Sequence, residues 1–144
     1  MMIEELSPAL QVQAVENIIK EYPQVEIETH HYFGGGVYER EILVKPGTII
    51  TGKVHLTEHL AKLVKGTMTI YGDHESGTFT GPVTFVSKPG AKRVGYAHDD
   101  VVFSTFHSVG DEVSIEALDK MLVVDTVEQY QLIRDTPELL GEEK

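Results

Sequence analysis

Residues 46–66 read Pro46-Gly47-Thr48-Ile49-Ile50-Thr51-Gly52-Lys53-Val54-His55-Leu56-Thr57-Glu58-His59-Leu60-Ala61-Lys62-Leu63-Val64-Lys65-Gly66, and the fold turns on whether their middle is helix or strand. Imidazole is the commonest neutral nitrogen ligand for zinc, copper, nickel and iron, and two histidines at this spacing converge either along a helix or across a tight strand turn. As a helix, His55-Leu56-Thr57-Glu58-His59 has the H-x-x-E-H order of inverted zinc proteases, with Glu58 as the base that activates water. Leu56, Leu60, Leu63 and Val64 then share one face, and Gly66 closes the C-terminus. As strands, the segment continues the β-rich runs on either side, residues 42–53 and 67–71, and this neighbourhood favours strands.

In the strand frame the residues resemble the first motif of the cupin family, G-x5-H-x-H-x3,4-E-x6-G. Gly47, Lys53, His55, His59 and Gly66 fall at its fixed positions with the lengths intact. Lys53 stands where that family carries its first His, and His59 where it carries Glu. The second motif, G-x5-P-x-G-x2-H-x3-N, is present in outline through Gly81 and Pro89-Gly90, with Arg93 at the metal-binding His and Ala97 at the Asn. Residues 51–59 and 89–97 are also similar to small cupin-like proteins of tailed bacteriophages. The resemblance covers residues 37–107. It implies a mainly β fold, a single cupin-like antiparallel β-barrel (jelly roll), that holds a divalent transition metal (Zn, Fe, Ni or Mn) and assembles as a homodimer.

Outward from this stretch the texture is consistent with a barrel. Turn signals at Gly34-Gly35-Gly36, Pro46-Gly47, Gly72-Asp73, Gly81-Pro82, Pro89-Gly90 and Asp99-Asp100 cut residues 25–107 into short segments rich in Val, Ile, Thr, Tyr and Phe. Before them, residues 7–22 read as a helix capped by Ser7, with Pro8 at its first position and Leu10, Ala14, Val15, Ile18, Ile19 and Tyr22 as its apolar stripe. After them, residues 114–122 look helical, and Thr126 with Gln129 has the spacing of a capping box. The expected organisation is one domain: an N-terminal helix over 1–24 packing on the barrel, the barrel over 25–110, and a C-terminal helical extension over 111–144.

Strand pairing nominates further site residues. With Asp99-Asp100 as a hairpin turn, His107 falls opposite Lys92, level with Arg93, and completes a set of three imidazoles with His55 and His59. With Pro46-Gly47 as a second hairpin turn, Tyr38 pairs with His55 and Arg40 with Lys53, so these four share a face. Of His30 and His31 only one can point inward. His74 reads as a solvated turn residue and His98 as a hairpin-tip residue. Glu39 and Glu41 fall on the face away from His55. Gly34-Gly35-Gly36 lacks the Gly-Lys-Ser/Thr of a phosphate loop.

The chain of 144 residues carries 12 Lys+Arg against 23 Asp+Glu, a formal net charge of −11. That balance repels phosphate backbones and anionic lipids, so neither nucleic acid nor membrane is an expected partner. Cysteine is absent, so any metal is held by histidines and carboxylates. The first residues lack the pattern of a secretory signal, and a cytoplasmic protein is expected. Arg40, Lys53 and Arg93 beside a metal favour a small anionic molecule in the barrel, with or without metal-dependent catalysis. Two other readings stay open: a metal-free protein that sequesters a small, nucleotide-like signal through Tyr38, Arg40, Lys53 and Arg93, and a barrel filled with side chains that acts through its outer surface.

Overall fold

The computed structural model describes residues 7–72 and 75–136. The expectation for His74 and the part of the expected C-terminal extension beyond Thr136 lie outside the described residues. Helix α1 (Pro8–Ile19) is followed by β1 (Glu28–Gly34), β2 (Val37–Val44), β3 (Ile49–Thr51), β4 (Val54–His55), β5 (His59–Lys65), β6 (Thr67–Tyr71), β7 (Ser76–Thr80), β8 (Val83–Ser87), β9 (Val94–Ala97) and β10 (Val101–Ser108). The chain then forms α2 (Ile115–Leu122), β11 (Val123–Val124) and α3 (Val127–Asp135). His55 and His59 therefore lie on separate strands, β4 and β5, which overturns the helical reading of residues 55–59. Glu58, the base of that reading, is exposed in the intervening turn and pairs with Lys88.

One sheet has the order β1-β2-β10-β5-β8 and a second the order β3-β9-β6-β7, with β11 and β4 forming a short ladder of their own. All these pairings are antiparallel. Among the described residues, β1 with β2 and β6 with β7 are the successive strands that pair directly. Pro46-Gly47 carries the chain from the first sheet to the second, and so does Gly66. Gly81-Pro82 brings it back, and Asp99-Asp100 lies in the last such crossing. This alternation between facing sheets is the jelly roll.

Both expected hairpins are thereby corrected. Tyr38 pairs with His107 and Phe33, not His55, and Arg40 pairs with Thr105 and His31, not Lys53. His107 does not face Lys92, because β9 and β10 belong to different sheets. A turn dipeptide marks where a chain reverses; it does not say which sheet receives the next strand.

Alternation along the strands builds the core. Ile42 and Val44 of β2, Ala61 and Leu63 of β5, Met68 and Ile70 of β6, and Val101 and Phe103 of β10 turn inward and pack together with Phe85 and Ala97. Two crossings meet at Gly66, whose φ of 93° suits glycine. A Cβ there would stand 2.3 Å from the Asp100 carbonyl oxygen. The Asp99 carboxylate accepts the Thr67 amide at 2.6 Å and closes the corner.

Helix α1 begins as expected, with the Ser7 hydroxyl accepting the Leu10 amide, but buries a different face. Ala9, Val12, Gln13 and Glu16 point inward, whereas Val15, Ile18 and Tyr22 of the expected stripe are exposed. The reason is polar. The Lys92 side chain is fully buried, and its ammonium lies 3.0 Å from the Glu16 carboxylate while donating to the carbonyls of Gly52 and Asp125 at 2.8 and 3.1 Å. Thr51 Oγ1 donates to Glu16 at 2.6 Å, and the Gln13 side chain accepts the Val127 amide at 3.1 Å. A buried ammonium without a counter-ion is costly, and this requirement outweighs the apolar stripe. Burial pushes the Glu16 carboxyl up, yet the hydrogen bonds from Thr51 and Lys92 outweigh it and hold the group below its usual value.

At the C-terminal side, Ser114 caps α2 and Thr126 with Gln129 forms the expected capping box on α3. Leu118 and Leu122 of α2 pack on Tyr38, while Val127 of α3 packs with Ala9 and Val54. No helix among the described residues is long and apolar enough to cross a membrane.

Removing one partner of the buried pair should be expensive. Lys92→Met alone is expected to lower stability by about 3–5 kcal/mol, and the double Glu16→Met/Lys92→Met variant to recover most of it. Urea unfolding of both variants checks this, and equal losses would show that the pair has no such role.

Candidate functional site

Three histidines converge inside the barrel. His55 ends β4, His59 opens the inward row of β5, and His107 continues the inward row of β10 beyond Phe103 and Thr105. Their ring centroids are 4.1 Å (His55–His59), 4.4 Å (His59–His107) and 5.6 Å (His55–His107) apart. One nitrogen from each ring lies within 4.8 Å of the others. His59 and His107 are buried and His55 partly so.

Backbone contacts hold this geometry. The His55 amide donates to the Ala91 carbonyl at 3.2 Å, and the His55 carbonyl accepts the Gly90 amide at 2.7 Å. His59 Nδ1 donates to the Thr57 carbonyl at 3.1 Å, which leaves Nε2 as the nitrogen with a free lone pair. His55 Nδ1, His59 Nε2 and His107 Nδ1 are all buried without a hydrogen-bond partner. Three clustered imidazoles that each hold a buried, unpartnered ring nitrogen fit a cation, and a set of neutral imidazoles suits Zn, Fe or Ni better than Mn, which prefers carboxylate oxygens.

The surroundings keep the rings neutral. Burial, then the neighbouring His59, Arg93, His107 and Arg40, drives His55 down to about 2. Burial, then His59 and Arg40, lowers His107 to about 4. His59 is also lowered, chiefly by burial. At neutral pH the nitrogens are therefore unprotonated and ready to ligate.

A cavity of about 500 Å³ adjoins the cluster, so the interior is not filled with side chains. His55, His107, Tyr38, Arg40, Lys53 and Arg93 all line it, although the pairings expected to gather them do not occur. Arg93, at the position of the missing second-motif histidine, is largely buried, pairs through Nε with Glu75, and stands 5.9 Å over the Phe103 ring. Lys53 is half exposed and lies 3.5 Å from Asp125. Tyr38 stacks between Phe33 and His107, and its hydroxyl meets His31 Nδ1 at 2.7 Å. Burial pushes that hydroxyl up from its usual value.

His31 is the inward member of the His30-His31 pair, and His30 bonds Glu28 and Glu41 outside. His98 is exposed and contacts Thr69. Sequence reasoning missed Glu75, which no spacing ties to Arg93, and missed Ile115, Asp119 and Leu122 of α2, which complete the cavity wall. The strong apolar stripe of α2 was a signal that it covers something, but not what.

Solved structures share the fold. A Photorhabdus luminescens protein aligns with a TM-score of 0.51 at 14% identity, over 68% of this chain and 87% of its own. A cupin superfamily protein from Desulfitobacterium hafniense DCB-2 aligns at 0.49 and 7% identity, over 61% and 82% of the two chains. KdgF from Halomonas sp. aligns at 0.49 and 15% identity, over 64% and 93%. At these identities the likeness is one of fold alone. No family model and no curated protein matches the chain. These structures are bacterial and lend no support to the likeness to phage proteins.

The depressed imidazoles carry a pH signature. Between the free value of 6.5 and the folded value of about 4 for His107, the unfolded chain binds more protons, so folding stability falls as the pH drops. Each such group contributes up to about 1.4 kcal/mol per pH unit in that window. Urea unfolding of metal-free protein at pH of about 7 and 5 should show the loss, and His107→Gln should reduce it. An identical loss in the variant would contradict the assignment.

Proposed function

We propose that this cupin-like barrel binds a divalent transition metal through His55, His59 and His107 and takes a small anion beside it. The observation that carries the reading is a cluster of three imidazoles with one nitrogen of each within 4.8 Å of the others, each ring also holding a buried nitrogen without a hydrogen-bond partner. A bound ion with open coordination positions supplies Lewis acidity to whatever ligand reaches it.

The protein's own groups account for the anion. The ligand set contains no carboxylate, so the charge of a divalent ion stays uncompensated by its ligands. Arg40 and Arg93 add further positive charge on the same cavity, and Arg93 pairs with Glu75. The largely buried Arg93 guanidinium is the one placed to pair strongly with a carboxylate or phosphate, while Arg40 is exposed on the same wall. Tyr38, held at its hydroxyl by His31, is the neutral hydrogen-bonding group of the same wall. Lys53 is half exposed, and its contribution is to draw anions in. The reading includes a cytoplasmic location and a homodimer.

Metal analysis of protein purified without a His tag is expected to find about one ion per chain, and negligible metal in His55→Ala/His59→Ala. Equal, negligible metal in both would end the metal reading. EDTA then separates the metal centre from a metal-free binder: anion binding is lost with the metal in the first case and retained in the second. Arg40→Glu should weaken any anion at least tenfold, about 1.4 kcal/mol. Native mass spectrometry reports the co-purifying ion or metabolite and the assembly state in one measurement.

A further inference from the structure

The cavity changes character along the barrel. On the inner face of β2, Tyr38, Arg40, Ile42 and Val44 stand opposite His107, Thr105, Phe103 and Val101 of β10, in that order. Two polar steps give way to two apolar ones. Across the barrel, Ile50, Gly95 and Ile70 stand abreast on β3, β9 and β6, while Arg93 lies just before β9 at the histidine end. The same cavity thus has His55, His107, Arg40 and Arg93 at one end, with Ile115, Leu122 and Val123 beside Tyr38 there, and Ile42, Ile50, Met68 and Ile70 toward the other, Phe103 lying between them under the Arg93 guanidinium.

Gly95 helps to keep that apolar end open. A Cβ on Gly95 would stand 3.0 Å from Met68 Cε, and any longer side chain there would occupy the cavity that Gly95 lines. The cavity volume of about 500 Å³ is within the range of sites that enclose whole small molecules, about 300–1,000 Å³, and is far more than a lone acetate or phosphate fills. An anion alone would leave the apolar walls against water, whereas a ligand with an apolar body would displace it.

We propose that the ligand is amphiphilic: one anionic head at the histidine and arginine end, joined to an apolar chain or ring that lies along Ile42, Ile50, Met68, Ile70 and Phe103. This rests on the reading of the site as an anion site and adds the class of molecule. Burial of each methylene against those walls is worth a roughly fourfold gain in affinity.

Calorimetric titration with acetate, butanoate, hexanoate and octanoate, on both metal-free and Zn²⁺-loaded protein, tests it. Affinity is expected to rise by about fourfold per methylene until the cavity is filled. Octylammonium, with the same tail and the opposite head, should not bind. Gly95→Val should reduce the ratio of octanoate to acetate affinity; if that variant does not fold, the series on the unaltered protein still decides. Acetate and octanoate binding equally would overturn the amphiphile and leave the anion site standing. Octylammonium binding as well as octanoate would overturn it too. If no carboxylate binds in either state, the anion site itself fails, and the amphiphile with it.

Discussion

The ammonium of Lys92, sealed from water, constrains more of this molecule than any other group. It must be met by charge and by carbonyl oxygens, and the structure meets it from three directions: Glu16 of α1, the Gly52 carbonyl ahead of β4, and the Asp125 carbonyl ahead of α3. The helix at the start of the chain, the short β4 strand and the C-terminal extension are thereby held to one point. Burial pulls the ammonium below its usual value, and the hydrogen bond and charge of Glu16 oppose that pull. The neighbouring residues inherit the fixed position. Ala91 and Gly90 bond the backbone of His55, and Arg93 enters the cavity. The pin that secures the helix also sets the first ligand of the candidate centre.

The centre is unusual in its charge balance. Its nitrogens are supplied by rings that burial and neighbouring cations keep neutral, and Glu75 is engaged with Arg93. A cation placed there finds donors but no opposing charge among them. The site is thus suited to a ligand that brings its own negative charge, and the cavity beside it has room for more than that charge.

Much of the fold could be read from the spacing between Gly47 and Gly66 and from the turn signals that follow. His55 and His59 were identifiable because a tight turn between strands brings residues four apart together, and the flanking β texture favoured strands over a helix. His107 stands with them, but through pairing with Tyr38 rather than through a hairpin with β9. The hairpin reasoning failed at Pro46-Gly47 and Asp99-Asp100 for one cause: local composition encodes a change of direction, whereas the choice of partner strand is made by the facing sheets. The inward face of α1 was misread because hydrophobic periodicity has no means of anticipating a buried lysine that requires Glu16. Glu75 was invisible because its partner, Arg93, is distant in sequence.

The sheet order has a bearing on how the protein is made. β2, among the first strands to leave a ribosome, pairs along its whole length with β10, and β5 waits for the same strand. Contacts between such remote segments are slow to form, because a long loop must close before any of them is rewarded. Until β10 emerges, β2 and β5 expose unpaired edges and apolar faces of the kind that attract other chains. His107 lies near the end of β10, so the histidine cluster and the first sheet are completed in the same late event.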